Sequence, residues 1–230
     1  MKTLTTLLSL AMLAVAATAG AQQQTYQTLP AGPSTPLGAG WDVAGQIGLL
    51  NRNRSDLSRW DHWYSVAAVD GSAGRYWTPH LKTEFEIGTA GRGSIDGEEL
   101  TPVPGSSVLF PRYRDHKLRE TTLGATALYQ FFDNQWVHPF IGGGAELVRE
   151  HHTADTVPAA TIRLSTTVPG LSLPALPAID TVNYSVRPVV TGGFKFYVSP
   201  HGFVRMDVRT ALSADRPLAL QWRGGIGFDF

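Results

Sequence analysis

The chain has no cysteine, which excludes disulfides, thiolate metal sites and a lipid-modified cysteine at an export cleavage point. It has no surplus of either charge, with 19 Lys and Arg against 19 Asp and Glu. A nucleic-acid partner, which would want a basic stripe, is therefore not expected. Beyond the N-terminus, no apolar run approaches the roughly 20 residues of a membrane helix. If the mature chain spans a membrane it must do so as a closed barrel, the other structure that satisfies every backbone N–H and C=O in hydrocarbon.

The N-terminus has the marks of an export signal: Lys2, an apolar core from Leu4 to Ala17, and small residues at Ala19-Gly20-Ala21 before Gln22. Residues 1–21 are expected to be a signal peptide. Residues 22–38, rich in Gln, Thr, Pro and Gly without periodicity, read as a flexible periplasmic leader. Residues 39–230 form one domain.

From Gly40 onward the sequence alternates with the period of two that marks strands with one apolar face. Strand one, Gly40 to Asn51, sets Trp41, Val43, Ile47 and Leu49 against Asp42, Ala44 and Gln46. Strand two, Trp63 to Gly71, barely alternates. Strand three, Tyr76 to Ala90, sets Trp77, Leu81, Phe85 and Ile87 against His80, Lys82, Glu84 and Glu86. Strand four, Tyr113 to Phe132, places Glu120, Thr122, Thr126 and Gln130 on the polar side, and strand five, Trp136 to Glu150, places His138 and Glu146 there. Strand six, Tyr184 to Ser199, sets Val186, Val190, Phe194 and Phe196 against Arg187, Thr191 and Lys195. The last two strands carry Arg205, Asp207 and Arg209, then Gln221, Arg223 and Asp229, opposite apolar sets. Short links are expected at Gly71 to Arg75, Asp133 to Gln135 and Ser199 to Gly202. Longer ones fall at Arg52 to Asp61, Gly91 to Arg112 and His151 to Asn183, with a brief link at Ala214 to Pro217. Short and long links on opposite sides suit an up-and-down transmembrane barrel of about eight antiparallel strands.

Alternation alone leaves open a soluble barrel with the apolar set inside. Three features favour the reverse. The polar faces hold acids and bases in near balance, which a narrow interior can pair: Asp42, Glu84, Glu86, Glu120, Glu146, Asp207 and Asp229 with Lys82, Arg187, Lys195, Arg205, Arg209 and Arg223. Aromatics such as Trp41, Trp77, Tyr129, Phe131 and Phe196 lie near strand ends, where interfacial girdles sit. The chain also stops on Phe230, with Phe228, Ile226 and Trp222 in register behind it.

That ending resembles the C-terminal signature of bacterial outer-membrane barrels. The resemblance, to the small OmpA/OmpX-like barrels, extends over Gly40 to Phe230 and is carried also by Trp136-Val137-His138-Pro139-Phe140-Ile141-Gly142-Gly143-Gly144 after a tight turn. It implies the outer membrane of a diderm bacterium, contact with its lipid, and recognition of Trp222, Ile226, Phe228 and Phe230 by the barrel assembly machinery.

Other candidate sites are weak. The pairs Pro79-His80, His138-Pro139 and Pro200-His201 fall on alternate strands, whose starts stand about 10 Å apart, too far to share an ion. Proline at a strand start is the plainer account. His151 and His152 are adjacent and point to opposite sides of an extended chain. Some small barrels are lipid A-modifying enzymes; the deacylases resemble one another in a His-x-Ser pair, which this chain lacks. No catalytic residue, metal or cofactor is expected. The expected function is a membrane-anchored structural or surface-interaction scaffold with a side-chain-filled lumen and a possible extracellular ligand at residues 151–183. A narrow porin-like channel is the alternative, and a lipid A-modifying enzyme the third.

Overall fold

The computed structural model describes residues 40–54, 57, 63–105, 107–132, 136–162, 170–212 and 219–230. The chain divides into 1–34 and 35–230, and every described residue falls in the second unit. The expected signal peptide, leader and Asp133 to Gln135 link lie outside the described residues.

The strands are β1 (Trp41–Asn53), β2 (Trp63–Tyr76), β3 (Leu81–Pro102), β4 (Leu109–Gln130), β5 (Val137–Ala154), β6 (Ala160–Ile162), β7 (Leu171–Leu173), β8 (Ile179–Tyr197), β9 (Gly202–Ala211) and β10 (Ala219–Asp229). Eight of them close a barrel in the order β1-β10-β9-β8-β5-β4-β3-β2, and β6 pairs with β7 as a separate hairpin. All neighbours in the ring are antiparallel. Closure leaves no sheet edge within the ring. At the seam Trp41 and Phe230 exchange backbone hydrogen bonds of 2.8 Å in both directions.

Polarity is inverted relative to a soluble barrel. Ile47, Ile87, Leu123, Val186 and Ile226 project outward and are more than half exposed, while Lys82, Glu84, Lys195 and Arg205 are 1 % exposed. On β4 and the residue after it the apolar outward set runs from Leu123 to Phe131. About ten residues at about 3.4 Å each, tilted by about 40°, cover the roughly 25 Å of an outer-membrane apolar band. Aromatics crowd the short-turn rim, where the Arg75 guanidinium lies 4.5 Å from the Trp77 ring centroid and 5.8 Å from that of Trp41. The chain is a membrane-embedded barrel.

Strand lengths give the molecule its second part. β3, β4, β5 and β8 have 22, 22, 18 and 19 residues, against 13, 14, 10 and 11 for β1, β2, β9 and β10. Pairing of β2 with β3 stops at Ala68–Ala90, and that of β8 with β9 at Val189–Ala211. The four long strands therefore continue past the ring as one sheet. Where β3 leaves the ring its register shifts between Ala90 and Gly93, a bulge that re-aims the strand. Glycine is needed at Gly93, because a Cβ there would collide with the Tyr64 ring. Tyr64, Ile95 and Leu118 then form a small core, with Leu57 and Val66 against it.

These elements correct three sequence-based boundaries. Residues 71–75 are not a link: β2 continues to Tyr76, and the chain reverses over 77–80. Residues 91–112 are not a loop but the upper β3–β4 hairpin, reversing at 103–108, where Gly105 takes a positive φ. Within 151–183, β5 extends to Ala154, β8 begins at Ile179, and β6 and β7 lie between.

Candidate functional site

The alternation that points apolar side chains at lipid points their neighbours at the axis, so the lumen is built from residues two apart on each strand. Lys82, Glu84 and Glu86 come from β3, Arg205, Asp207 and Arg209 from β9, Arg187 and Lys195 from β8, Arg223 and Asp229 from β10, and Asp42, Glu120 and Glu146 from β1, β4 and β5. All thirteen charged residues singled out in the sequence are buried and directed inward.

They form a single ladder in which acid and base alternate. From the short-turn end, Asp229 meets Lys195 at 3.1 Å, Lys195 meets Asp42 at 2.9 Å, and Asp42 meets Lys82 at 2.7 Å. Lys82 reaches Glu84 at 2.5 Å, and Glu84 and Asp207 both hold Arg205 at 2.7 Å. Asp207 continues to Arg223 at 2.6 Å, Arg223 to Glu86 at 2.7 Å, and Glu86 to Arg209. Arg209 meets Glu146 at 2.8 Å, Glu146 meets Arg187 at 2.9 Å, and Arg187 meets Glu120 at 3.3 Å. Glu120 contacts Arg52, which meets Glu150 at 2.8 Å, and Glu150 meets Arg54 at 2.8 Å. Strict alternation leaves the ladder without net charge, which is what allows so many ions to sit out of bulk water.

Arg52, Arg54 and Glu150 are the members that the sequence reading left out. Arg52 and Arg54 fall in what reads as a loop, yet they keep the parity of Asp42, Gln46 and Leu50, because β1 runs two residues further, to Asn53, and Arg54 follows directly on it. Asp70, also buried, stands beside the ladder and accepts a hydrogen bond from Gln221 Nε2 at 2.7 Å. The inward glycines make room for the long side chains: a Cβ on Gly88 would collide with Asp70 and Thr122, and one on Gly124 would press on Arg209.

The two ends of the lumen are lined differently. At the short-turn end Lys195 Nζ lies 3.7 Å from the Phe203 ring centroid and donates to Tyr76 Oη at 2.7 Å. Leu128, Phe140 and Tyr197 pack into the same floor. Higher up, the small residues Ala68, Ala90, Ala211 and Ala219 leave a cavity of about 30 Å³ that Asp70, Glu146 and Arg209 also line. At about 10–15 Å³ for each water centre, that is room for about two waters.

Above the ring, Arg112 donates to the carbonyls of Pro158 (2.6 Å) and Pro174 (2.5 Å), and Arg114 to that of Pro177 (2.7 Å). Two β4 arginines thus hold the Pro-rich segment against the projecting sheet. His152 points inward, its Nε2 2.8 Å from His116 Nδ1, while His151 points outward to Asp180 Oδ1 at 2.7 Å. Burial holds both inner imidazoles below the usual histidine range, reinforced by Arg114 at His116 and by His116 itself at His152. The proline-associated histidines stay apart: His80 Nδ1 is 2.9 Å from the Gln130 carbonyl and His201 Nδ1 is 3.1 Å from that of Asp229, while His138 stacks edge-on to Tyr197. At the C-terminus, Trp222, Ile226, Phe228 and Phe230 are all exposed on the outer wall.

No protein-family model matches the chain. No curated protein matches it by sequence. Solved structures are similar in fold at low identity. Neisserial surface protein A (NspA) is 16% identical, covering 84% of this chain and 99% of its own, at a TM-score of 0.49. Ail, the attachment invasion locus protein of Yersinia pestis, solved with the heparin analogue sucrose octasulfate, is 12% identical over 83% of this chain and 99% of its own, at 0.46. The N-terminal β-barrel domain of Pseudomonas aeruginosa OprF is 12% identical with the same coverages, at 0.45. Strand number, closure and an apolar wall around a charged lumen, all read from this chain itself, make it a small β-barrel of the outer-membrane kind.

Proposed function

We propose that the protein is a scaffold anchored in a bacterial outer membrane, which closes its own lumen and presents a rigid sheet at the cell surface. The observation that carries this reading is the uninterrupted ladder from Asp229 to Arg54, which fills the axis with paired side chains. A solute would have to separate ion pairs that have little water to replace them. The sheet of β3, β4, β5 and β8, with the segment clamped by Arg112 and Arg114, is then the part available to an extracellular ligand. Planar-bilayer recording from the purified barrel should show no resolved single-channel steps. A stable unit conductance would replace the scaffold with a narrow channel.

The same reading makes the last strand the address for assembly, since Trp222, Ile226, Phe228 and Phe230 line its outer face where another protein can read them. Phe230 is 62 % exposed, so its side chain adds little to the folded barrel. Deleting it should lower outer-membrane levels several-fold while leaving the refolded protein's unfolding midpoint nearly unchanged. Normal levels of the truncated protein in the outer-membrane fraction would remove this role.

A further inference from the structure

On the outer wall, Ile87, Leu123, Leu147 and Val186 stand side by side in register and are all strongly exposed. They are the last row that is apolar on all four strands; one row on, Arg149 stands beside the exposed Tyr184. Immediately beyond them the same face changes character. Arg149 follows Leu147 on β5, Arg119 follows on β4, and Arg92 stands on β3 within the bulge beside Arg119; all three are exposed. Thr121 is the direct cross-strand partner of Arg149. Arg119, two residues from Thr121 on the same face, is therefore a diagonal neighbour of Arg149 at about 7–8 Å. Two guanidinium groups on side chains of that length can converge on one anion.

None of these three arginine side chains has an ion-pair or hydrogen-bond partner among the described residues. The other outward cations among the described residues are occupied. Arg75 at the opposite rim lies over two indoles, Lys117 holds Asp155 at 2.9 Å, and Asp180, the acid nearest this row, is taken by His151. On β9, β10, β1 and β2 no outward Lys or Arg follows the apolar band among the described residues. Among the described residues the outward positive charge beyond the band is thus confined to one arc of the rim, next to the apolar wall.

We propose that Arg119 and Arg149, with Arg92 beside them, bind the phosphate headgroup of a membrane lipid whose acyl chains lie along the wall of Ile87, Leu123 and Leu147. This rests on the membrane reading above. Arginine suits the task because its planar fork grips a phosphate with two donors at once. The unbroken apolar wall directly beneath selects a lipid phosphate over a free one.

The test is native mass spectrometry of the full-length mature barrel in octyl glucoside, titrated with dioleoyl phosphatidic acid, dioleoyl phosphatidylcholine or inorganic phosphate. Wild type should bind phosphatidic acid at least tenfold more tightly than phosphatidylcholine. The preference should vanish in the double variant Arg119→Gln/Arg149→Gln and survive in Arg75→Gln. Equal binding of the two lipids by wild type, a preference that survives the double variant, or one lost equally in Arg75→Gln would overturn the site. Inorganic phosphate binding as tightly as phosphatidic acid would overturn the assignment to a lipid. Heat-dependent gel mobility of the same samples separates the two readings. A retained shift without lipid preference removes the site alone, whereas mobility unchanged by boiling removes the membrane barrel and the site with it.

Discussion

Replacing Arg205 with alanine is expected to destabilise the barrel by about 3–5 kcal/mol, the usual cost of removing one partner from a buried, hydrogen-bonded ion pair. Arg205 is 1 % exposed, bridges Glu84 and Asp207 at 2.7 Å each, and lies 4.7 Å from the centroid of the Phe140 ring. The substitution leaves Glu84 with Lys82 and Asp207 with Arg223. Neither acid is orphaned outright, but the ladder becomes one cation short and gains a void. Urea unfolding from phosphatidylcholine vesicles, followed by tryptophan fluorescence, measures the loss.

A neutral pair of changes separates charge from volume. Arg205→Met with Glu84→Gln restores the balance and fills most of the space, so the double variant should cost clearly less than the two single variants added together, since residues sharing one network do not act independently. Additive costs, or a loss below about 1 kcal/mol for Arg205→Ala, the range of solvent-exposed pairs, would mean that water reaches the ladder. The closed-lumen proposal would then lose its support. The upper part supplies an internal comparison: Arg54, at 6 % exposure, pairs with Glu150 where the ring gives way to the projecting sheet. Its replacement should cost less than that of Arg205.

How legible each part is in the sequence follows from what surrounds it. β8 reads plainly because large apolar residues, Val186, Val190, Phe194 and Phe196, meet lipid while Arg187, Thr191 and Lys195 meet the ladder. β2 does not, because Ala67, Ala68, Gly71, Ala73 and Gly74 put small residues on both faces, and its inward markers Asp70 and Tyr76 are far apart. The upper hairpins fail for a different reason. Above the band the outer face meets water, so Arg92, Ser94 and Asp96 face outward and Ile95 and Leu118 inward. The polarity of the alternation reverses within a single strand. The bulge between Ala90 and Gly93 also shifts its phase there. A reading that expects one constant phase ends the strand at Ala90 and describes the remainder as a loop. Ladder membership fails in the same place: Arg52, Arg54 and Glu150 continue inward series whose outward partners are no longer apolar.

Placing arginine on the lipid wall should cost according to depth. Val190 lies midway along the outward series of β8, six residues from both Phe196 and Tyr184, and Val190→Arg is expected to destabilise the barrel by about 2–4 kcal/mol, as for a cation near the bilayer midplane. Val198 lies two residues beyond Phe196, is 69 % exposed, and donates its N–H to the Gly202 carbonyl at 2.9 Å where the chain reverses. Val198→Arg places the same charge at the interface and should cost only about 0–1 kcal/mol. The gradient between two valines on one strand is the signature of a bilayer, because a surface in plain water would accept both substitutions at nearly equal cost. Cysteine labelling checks the same face directly. Val190→Cys should react with a lipid-soluble maleimide and resist a water-soluble one. Thr191→Cys should resist both, since Thr191 is 3 % exposed and points at the ladder. Equal costs for the two arginine variants, or lipid-phase labelling at position 191 in preference to 190, would reverse the assignment of inside and outside, and with it the placement of every charge in the lumen.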